Sequence, residues 1–124
     1  MGPGRQAGKS ILVVEDDVTT RHALTRILAR QGYSVTGAAN GREAIDRLRA
    51  VAPDLILLDL MMPVMDGWEF RREQRQDPTL AAIPVVVLSA DGSAGQKAEV
   101  LEADGYLQKP VELDTLLDTV QRYC

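Results

Sequence analysis

The sequence predicts an α/β fold in which a five-stranded parallel sheet is doubly wound, with helices on both faces. Three short apolar runs, residues 11–14, 55–58 and 85–88, have no polar interruption, which is typical of strands buried on both faces. Segments with apolar residues at helical spacing alternate with these runs. The joining loops are short, so the alternation predicts parallel strands connected by right-handed crossovers.

The first half of the chain is assigned to a short lead-in and two strand–helix pairs. Residues 1–9, with three glycines and a proline, are predicted to form a flexible lead-in, and residues 10–124 a single domain. The first helix ends at Gly32, and a strand follows at residues 33–38. Asn40 with Glu43 resembles a capping box for the second helix. Apolar spacing predicts that these two helices bury Ala23, Leu24, Ile27, Leu28, Ala44, Ile45 and Leu48.

The second half contains the same alternation. Asp66 with Glu69 is expected to cap the third helix, and Ser93 with Gln96 the fourth. A fifth strand is predicted at residues 105–108, before the last helix. That helix is expected to bury Val111, Leu113, Leu116, Leu117 and Val120.

Composition excludes several classes of protein. A length of 124 residues with 45% hydrophobic residues suits one globular domain. The net charge of −4 argues against nucleic-acid binding by this domain, because phosphate contacts need clustered Lys and Arg. No apolar run approaches the roughly 20 residues of a membrane span. The single cysteine, Cys124, excludes an internal disulfide and fits a reducing compartment. We therefore expect a cytoplasmic protein with no membrane contact.

Polar side chains follow four of the predicted strands. Because the carboxyl ends of parallel strands meet at one edge of a sheet, these side chains are expected to converge there. They are Asp16 and Asp17 after the first strand, Asp59 after the third, Ser89 after the fourth and Lys109 after the fifth.

This set of side chains suits phosphoryl chemistry. Three neighbouring carboxylates repel one another unless a cation relieves them, and Mg²⁺ prefers oxygen ligands. Lys109 adds a positive charge and Ser89 a hydroxyl donor, both suited to the oxygens of a phosphoryl group. Asp59 is then placed to act as a nucleophile toward phosphorus and to carry an aspartyl phosphate.

The sequence resembles the receiver domains of response regulators in two-component signalling, including single chemotaxis-type receivers. Four segments carry the resemblance: residues 14–17, Val-Glu-Asp-Asp; residues 58–67, Leu-Asp-Leu-Met-Met-Pro-Val-Met-Asp-Gly; residues 88–90, Leu-Ser-Ala; and residues 106–110, Tyr-Leu-Gln-Lys-Pro. They occur in the family's order and with nearly its spacing, and the match extends from Ser10 to the C-terminus.

The resemblance implies the strand order 2-1-3-4-5, with residues 10–124 forming the receiver domain. It implies phosphorylation of Asp59 and a Mg²⁺ site formed by Asp16, Asp17, Asp59 and the backbone carbonyl of Met61. It also implies that Lys109 assists the phosphorylation of Asp59 and that Ser89 and Tyr106 form the switch. The Lys109–Pro110 bond is expected to be cis. The donor would be a histidine kinase or a histidine phosphotransferase, the output an unknown downstream protein, and the domain a regulatory switch rather than an enzyme.

Three other functions are alternatives to the phosphorylated switch, the last of them remote. A phosphatase of the haloacid-dehalogenase type also uses a strand-end Asp, but it needs a second Asp two residues later, where this chain has Met61. A degenerate receiver that only docks usually lacks the acceptor, an acidic ligand or the lysine, and all of these are present. A flavodoxin-like cofactor site is disfavoured because residues 15–17 would repel a nucleotide phosphate. The sequence therefore favours the switch.

Other notable residues have simple structural interpretations. The one histidine, His22, is expected to be a solvated helix residue rather than a phosphotransfer group. Arg71, Arg72 and Arg75 are expected to form a solvated helix face. Trp68 is expected to pack in the core. The interval from Ser89 to Lys109 is short for the family, which predicts a short fourth helix or entry loop.

Overall fold

The fold alternates strictly between strand and helix. A computed structural model describes residues 8–90 and 92–124, so residues 1–7 of the predicted lead-in lie outside the described residues. The elements are β1 (Ser10–Val14), α1 (Val18–Arg30), β2 (Ser34–Ala38), α2 (Gly41–Ala50), β3 (Leu55–Asp59), α3 (Gly67–Gln76), β4 (Val85–Ser89), α4 (Ala94–Leu101), β5 (Gly105–Gln108) and α5 (Leu113–Tyr123). In the described part of the chain, no helix has the length and apolarity to span a membrane.

The five strands form one parallel sheet in the order β2-β1-β3-β4-β5. β3 and β4 are buried along their whole length, as their unbroken apolar sequences predict. One face of the sheet is covered by α2, α3 and α4, through residues such as Ile45, Phe70 and Leu101. The other face packs against α1 and α5, through residues such as Leu28 and Val120. The predicted fold class and strand order are confirmed.

Two predicted core residues are exposed instead. In α1 the buried side chains are Leu24 and Leu28, one turn apart, and Ala23 lies beside this stripe on the solvent side. Leu113 is the first residue of α5 and is 52% exposed, because the helix meets the sheet only from its second turn, at Leu116.

The predicted helix caps are correct in two cases out of three. Asp66 and Glu69 form a reciprocal capping box at α3. Asn40 accepts a hydrogen bond from the Glu43 N–H at 2.9 Å. At α4, however, Ser93 forms no side-chain capping hydrogen bond within the described residues, so this helix begins without the stabilisation that the other two share.

The expected solvated arginine face is wrong for Arg71, which is 7% exposed. Its guanidinium donates to the carbonyls of Leu101 at 3.1 Å and Glu102 at 2.7 Å, at the C-terminal end of α4. It also donates to Gln74 Oε1 at 2.7 Å. The fully buried Gln74 in turn donates to the carbonyls of residues 80 and 83. This Arg71–Gln74 network joins α3, the loop before β4 and the end of α4. A cation at the C-terminus of a helix is also favoured by the helix dipole.

Replacing Arg71 is expected to destabilise the fold strongly. Arg71→Leu leaves three buried or half-buried acceptors without their donor, which should lower the free energy of unfolding by about 2–4 kcal/mol. Urea denaturation measures this change. The matched control is Arg72→Leu, at an exposed position on the same helix, which should change stability by less than about 0.5 kcal/mol. Equal effects of the two substitutions would contradict a structural role for the network.

Candidate functional site

A cavity of about 310 Å³ opens at the carboxyl edge of the sheet. Its lining residues come from the ends of β1, β3 and β4, from the residue after β5 and from α4. They are Glu15, Asp16, Asp17, Asp59, Leu60, Met61, Leu88, Ser89, Ala90, Lys97 and Lys109. The structure therefore brings together every sequence-predicted site residue except Tyr106 at one edge.

Strand register decides which carboxylates meet in this cavity. Val14 of β1 pairs with Leu58 of β3, so the next residues, Glu15 and Asp59, lie side by side. Both are buried, at 1% and 5% exposure. Asp16 is exposed, and one carboxylate oxygen from each of these three residues lies within 4.8 Å of the other two.

The acidic cluster contains Glu15 where Asp17 was expected. The Asp17 carboxylate is the N-cap of α1, and it accepts hydrogen bonds from Thr20 N at 2.8 Å and Thr20 Oγ1 at 2.6 Å. These bonds lower the pKa of Asp17, since they favour its charged form. Sequence reasoning missed Glu15 because it took the last two of three consecutive acids. The signal was available: an Asp three residues before Thr20 fits an N-cap.

Lys109 forms the positive side of the cavity. Its ammonium forms an ion pair with Glu15 and lies 3.7 Å from Asp59 Oδ1. Burial opposes the charge of this amine, but the contacts with Glu15 and Asp59 raise the pKa of Lys109. Its backbone N–H donates to the Ser89 carbonyl at 2.8 Å, and the bond to Pro110 is cis.

The Asp59 carboxylate is in an unfavourable environment for its charge. Burial and the neighbouring Glu15 raise its pKa from 3.8 to about 7, while Lys109 and the Met61 N–H, which donates at 3.3 Å, act in the opposite direction. One cation beside two buried carboxylates therefore leaves negative charge uncompensated. A further cation at this position would relieve it.

α3 begins close to this site because Gly67 has no side chain. A Cβ on Gly67 would lie 2.7 Å from the Asp59 carbonyl oxygen, closer than real contacts allow. The Gly67 N–H donates to the Leu60 carbonyl at 3.1 Å. The loop from Asp59 to α3 is thereby folded back onto the end of β3, and it presents Met61 to the cavity with its side chain 73% exposed.

The two expected switch residues lie in different surroundings. Ser89 is buried, at 5% exposure, and lines the cavity. Tyr106 is 54% exposed and is not among the described residues that line it. Its ring lies against α4, where a Cβ on Gly95 would be 3.3 Å from Tyr106 Cε1. In this structure the ring is therefore turned away from the acidic cluster.

The sequence model of the response regulator receiver domain matches residues 11–121. The chain belongs to this family. Its members are regulatory domains of two-component signalling, which confirms the family that the four sequence segments indicate.

Known receiver domains agree with this chain in sequence and in fold. Response regulator MprA of Mycolicibacterium vanbaalenii is 44% identical over 109 residues, which cover 86% of this chain and 46% of the relative. The chain thus spans about half the length of the curated relatives that it matches. Chemotaxis response regulator CheY4 of Vibrio cholerae is 34% identical with a TM-score of 0.86, covering 94% of this chain and 98% of that one. The receiver domain of a signal transduction histidine kinase from Syntrophus aciditrophicus is 36% identical with a TM-score of 0.85. The match covers 94% of this chain and 89% of that one.

Receiver domains generally bind Mg²⁺ in an acidic pocket, and the donor set of this receiver fits that ion. Glu15, Asp16 and Asp59 offer hard carboxylate oxygens, the ligand type that Mg²⁺ prefers. Glu15 Oε1 is buried and forms an ion pair with Lys109. The cluster has the negative charge and the carboxylate oxygens that a divalent cation requires.

Removing the Asp59 charge should stabilise the metal-free receiver. Because the pKa of Asp59 is raised to about 7 on folding, its ionisation costs stability as the pH rises from about 4 to about 7. Asp59→Asn should therefore raise the free energy of unfolding by about 1–2 kcal/mol at pH 8, with little gain at pH 4. Urea denaturation in EDTA at both pH values measures this difference.

The matched control is Asp17→Asn, which removes one charge two residues from Glu15. Because Asn caps helices as well as Asp does, the control should leave the free energy of unfolding nearly unchanged at both pH values. A lower stability of Asp59→Asn at pH 8 would contradict the electrostatic description of the cluster.

Proposed function

We propose that this receiver is a phosphorylation-activated switch whose acceptor is Asp59. The observation that supports this most directly is the contact set of Asp59, which lies beside Glu15 and Asp16 and 3.7 Å from the Lys109 amine. A carboxylate among other acids and one lysine, open to a cavity, suits attack on a phosphoryl group whose charge a metal ion and a lysine offset.

In this proposal Mg²⁺ is held by Glu15, Asp16, Asp59 and the backbone carbonyl of Met61. Asp17, which the sequence pattern proposes as a ligand, acts instead as the cap of α1. When bound, Mg²⁺ supplies charge neutralisation for the acidic cluster and for the phosphoryl oxygens. It also favours the ionised, nucleophilic form of Asp59, because a nearby cation lowers a carboxyl pKa.

The proposed donor is the phosphohistidine of a histidine kinase or a histidine phosphotransferase. An Asp59 carboxylate oxygen forms a bond to phosphorus while the phosphorus–nitrogen bond of the phosphohistidine breaks. The bonding electrons stay on the imidazole nitrogen as a lone pair, and the histidine leaves as neutral imidazole with a proton on its other ring nitrogen. The Lys109 ammonium is placed to hold a phosphoryl oxygen during this exchange.

The proposed response is a rearrangement of Ser89 and Tyr106. The Ser89 hydroxyl would move toward the phosphoryl oxygens, and the exposed Tyr106 ring would turn inward. A small energy difference between two states is sufficient for such a shift. A downstream protein would then read the surface formed by α4, β5 and α5.

Phosphorylation should depend on Asp59. With Mg²⁺ and acetyl phosphate, intact-mass spectrometry should find one added phosphoryl group on the parent protein and none on Asp59→Asn. Asp54→Asn is the matched control, because Asp54 precedes the same strand at the opposite edge of the sheet, where it accepts from the Ser10 N–H. An Asp59→Asn protein modified to the same extent as the parent would rule out the assignment.

Metal affinity should distinguish Glu15 from Asp17. Glu15→Gln removes a buried ligand charge and should weaken Mg²⁺ binding at least about tenfold. Asp17→Asn keeps the cap and should weaken it by less than about threefold. A Mg²⁺ titration followed by NMR chemical shifts measures both. If Asp17→Asn has the larger effect, Asp17 is the metal ligand, as the sequence pattern predicts, and the ligand set with Glu15 is wrong.

A further inference from the structure

A second lysine lines the cavity, and it comes from α4. Lys97 is the one described lining residue that a helix supplies; the others come from strand ends and loops. Only residues 90–93 separate Ser89 from α4, so the helix begins close to the carboxyl edge of the sheet. Ala94 and Ala98 form its buried side. Lys97 lies next to this side and is half-buried.

Phosphorylation would leave negative charge in the cavity that Lys109 and a metal do not neutralise. A phosphoryl group on Asp59 carries a charge of about −2, and Glu15 and Asp16 contribute one negative charge each. Mg²⁺ and Lys109 together supply three positive charges, so about one negative charge remains. The Asp17 carboxylate does not change this balance greatly, since it caps α1 and the cation of Arg21 lies near it.

The helix that carries Lys97 also supports Tyr106. The Tyr106 ring lies against Gly95, two residues before Lys97, so closely that a Cβ there would approach the ring to 3.3 Å. α4 thus contacts the cavity through Lys97 and the exposed Tyr106 ring through Gly95. A shift of its first turn toward the cavity would change the surface on which the ring rests.

We infer that Lys97 is a second phosphoryl-binding cation, which ties the first turn of α4 to the phosphorylated state. This inference rests on the proposed function of Asp59. Lys97 binds a phosphoryl oxygen through a charge-assisted hydrogen bond, and the resulting movement of α4 changes the position of Gly95 beneath Tyr106. The charge of the phosphoryl group is thereby linked to the output surface through a helix as well as through Ser89.

Beryllofluoride, which mimics the phosphoryl group, tests this inference when titrated with saturating Mg²⁺ and followed by calorimetry. Lys97→Met should bind beryllofluoride about three- to tenfold more weakly than the parent. Lys97→Arg keeps the charge and should recover most of the affinity. Lys9→Met is the matched control, because it removes the same charge at the opposite edge of the sheet, next to Ser10. It should bind as the parent does.

Two further measurements separate binding of the phosphoryl mimic from a general loss of structure. Mg²⁺ alone should bind Lys97→Met as tightly as the parent or more tightly, because a competing cation has been removed. Beryllofluoride should slow amide exchange in residues 94–101 of the parent, and less so in Lys97→Met. Equal beryllofluoride affinity in the parent and Lys97→Met would overturn the role of Lys97 but not the proposed function of Asp59. A parent that binds no beryllofluoride would overturn the proposed function and this inference together.

Discussion

Parallel pairing of β1 with β3 brings two acidic side chains level with each other at a buried edge of the sheet. Glu15 and Asp59 follow the paired residues Val14 and Leu58, and both are buried. Two buried carboxylates are unfavourable unless cations compensate them. Lys109 supplies one cation from the residue after β5, and the remaining negative charge favours a second. The apolar strands thus hold together groups that would otherwise separate.

Most of the fold follows from patterns that are local in the sequence. The apolar runs, the alternation of strands with helices and the caps at Asn40 and Asp66 each depend on a few neighbouring residues, and these predictions are confirmed. Both Glu15 and Asp17 line the cavity, so the local sequence does not choose between them. The pairing of β1 with β3 places Glu15 beside Asp59. Arg71 was misjudged for a different reason. A charged residue on a helix is usually solvated, and two of the three acceptors of Arg71 lie about 30 residues away in the sequence.

α4 differs from the other helices in how firmly it is attached. It has eight residues, no side-chain capping bond at Ser93 within the described chain, and buried residues that are two alanines and one leucine, Leu101. Because the free energy of burial scales with apolar area, α4 gains less from packing than helices that bury several large side chains. An element with few large buried contacts requires little free energy to shift. This suits the element on which Lys97 and the support for Tyr106 lie.

The Arg71–Gln74 network is attached to only one end of this helix. Arg71 holds the carbonyls of Leu101 and Glu102. Gly95, against which the Tyr106 ring lies, is near the other end of the helix, and Lys97 is midway along it. A helix that is held at one end can tilt about that end but cannot move along its own axis. An eight-residue helix is about 12 Å long, so a displacement of about 1 Å at its first turn amounts to a tilt of about 5°. Arg71 therefore fixes the C-terminal end of α4, and the movement of α4 that we infer above would be a tilt about that end.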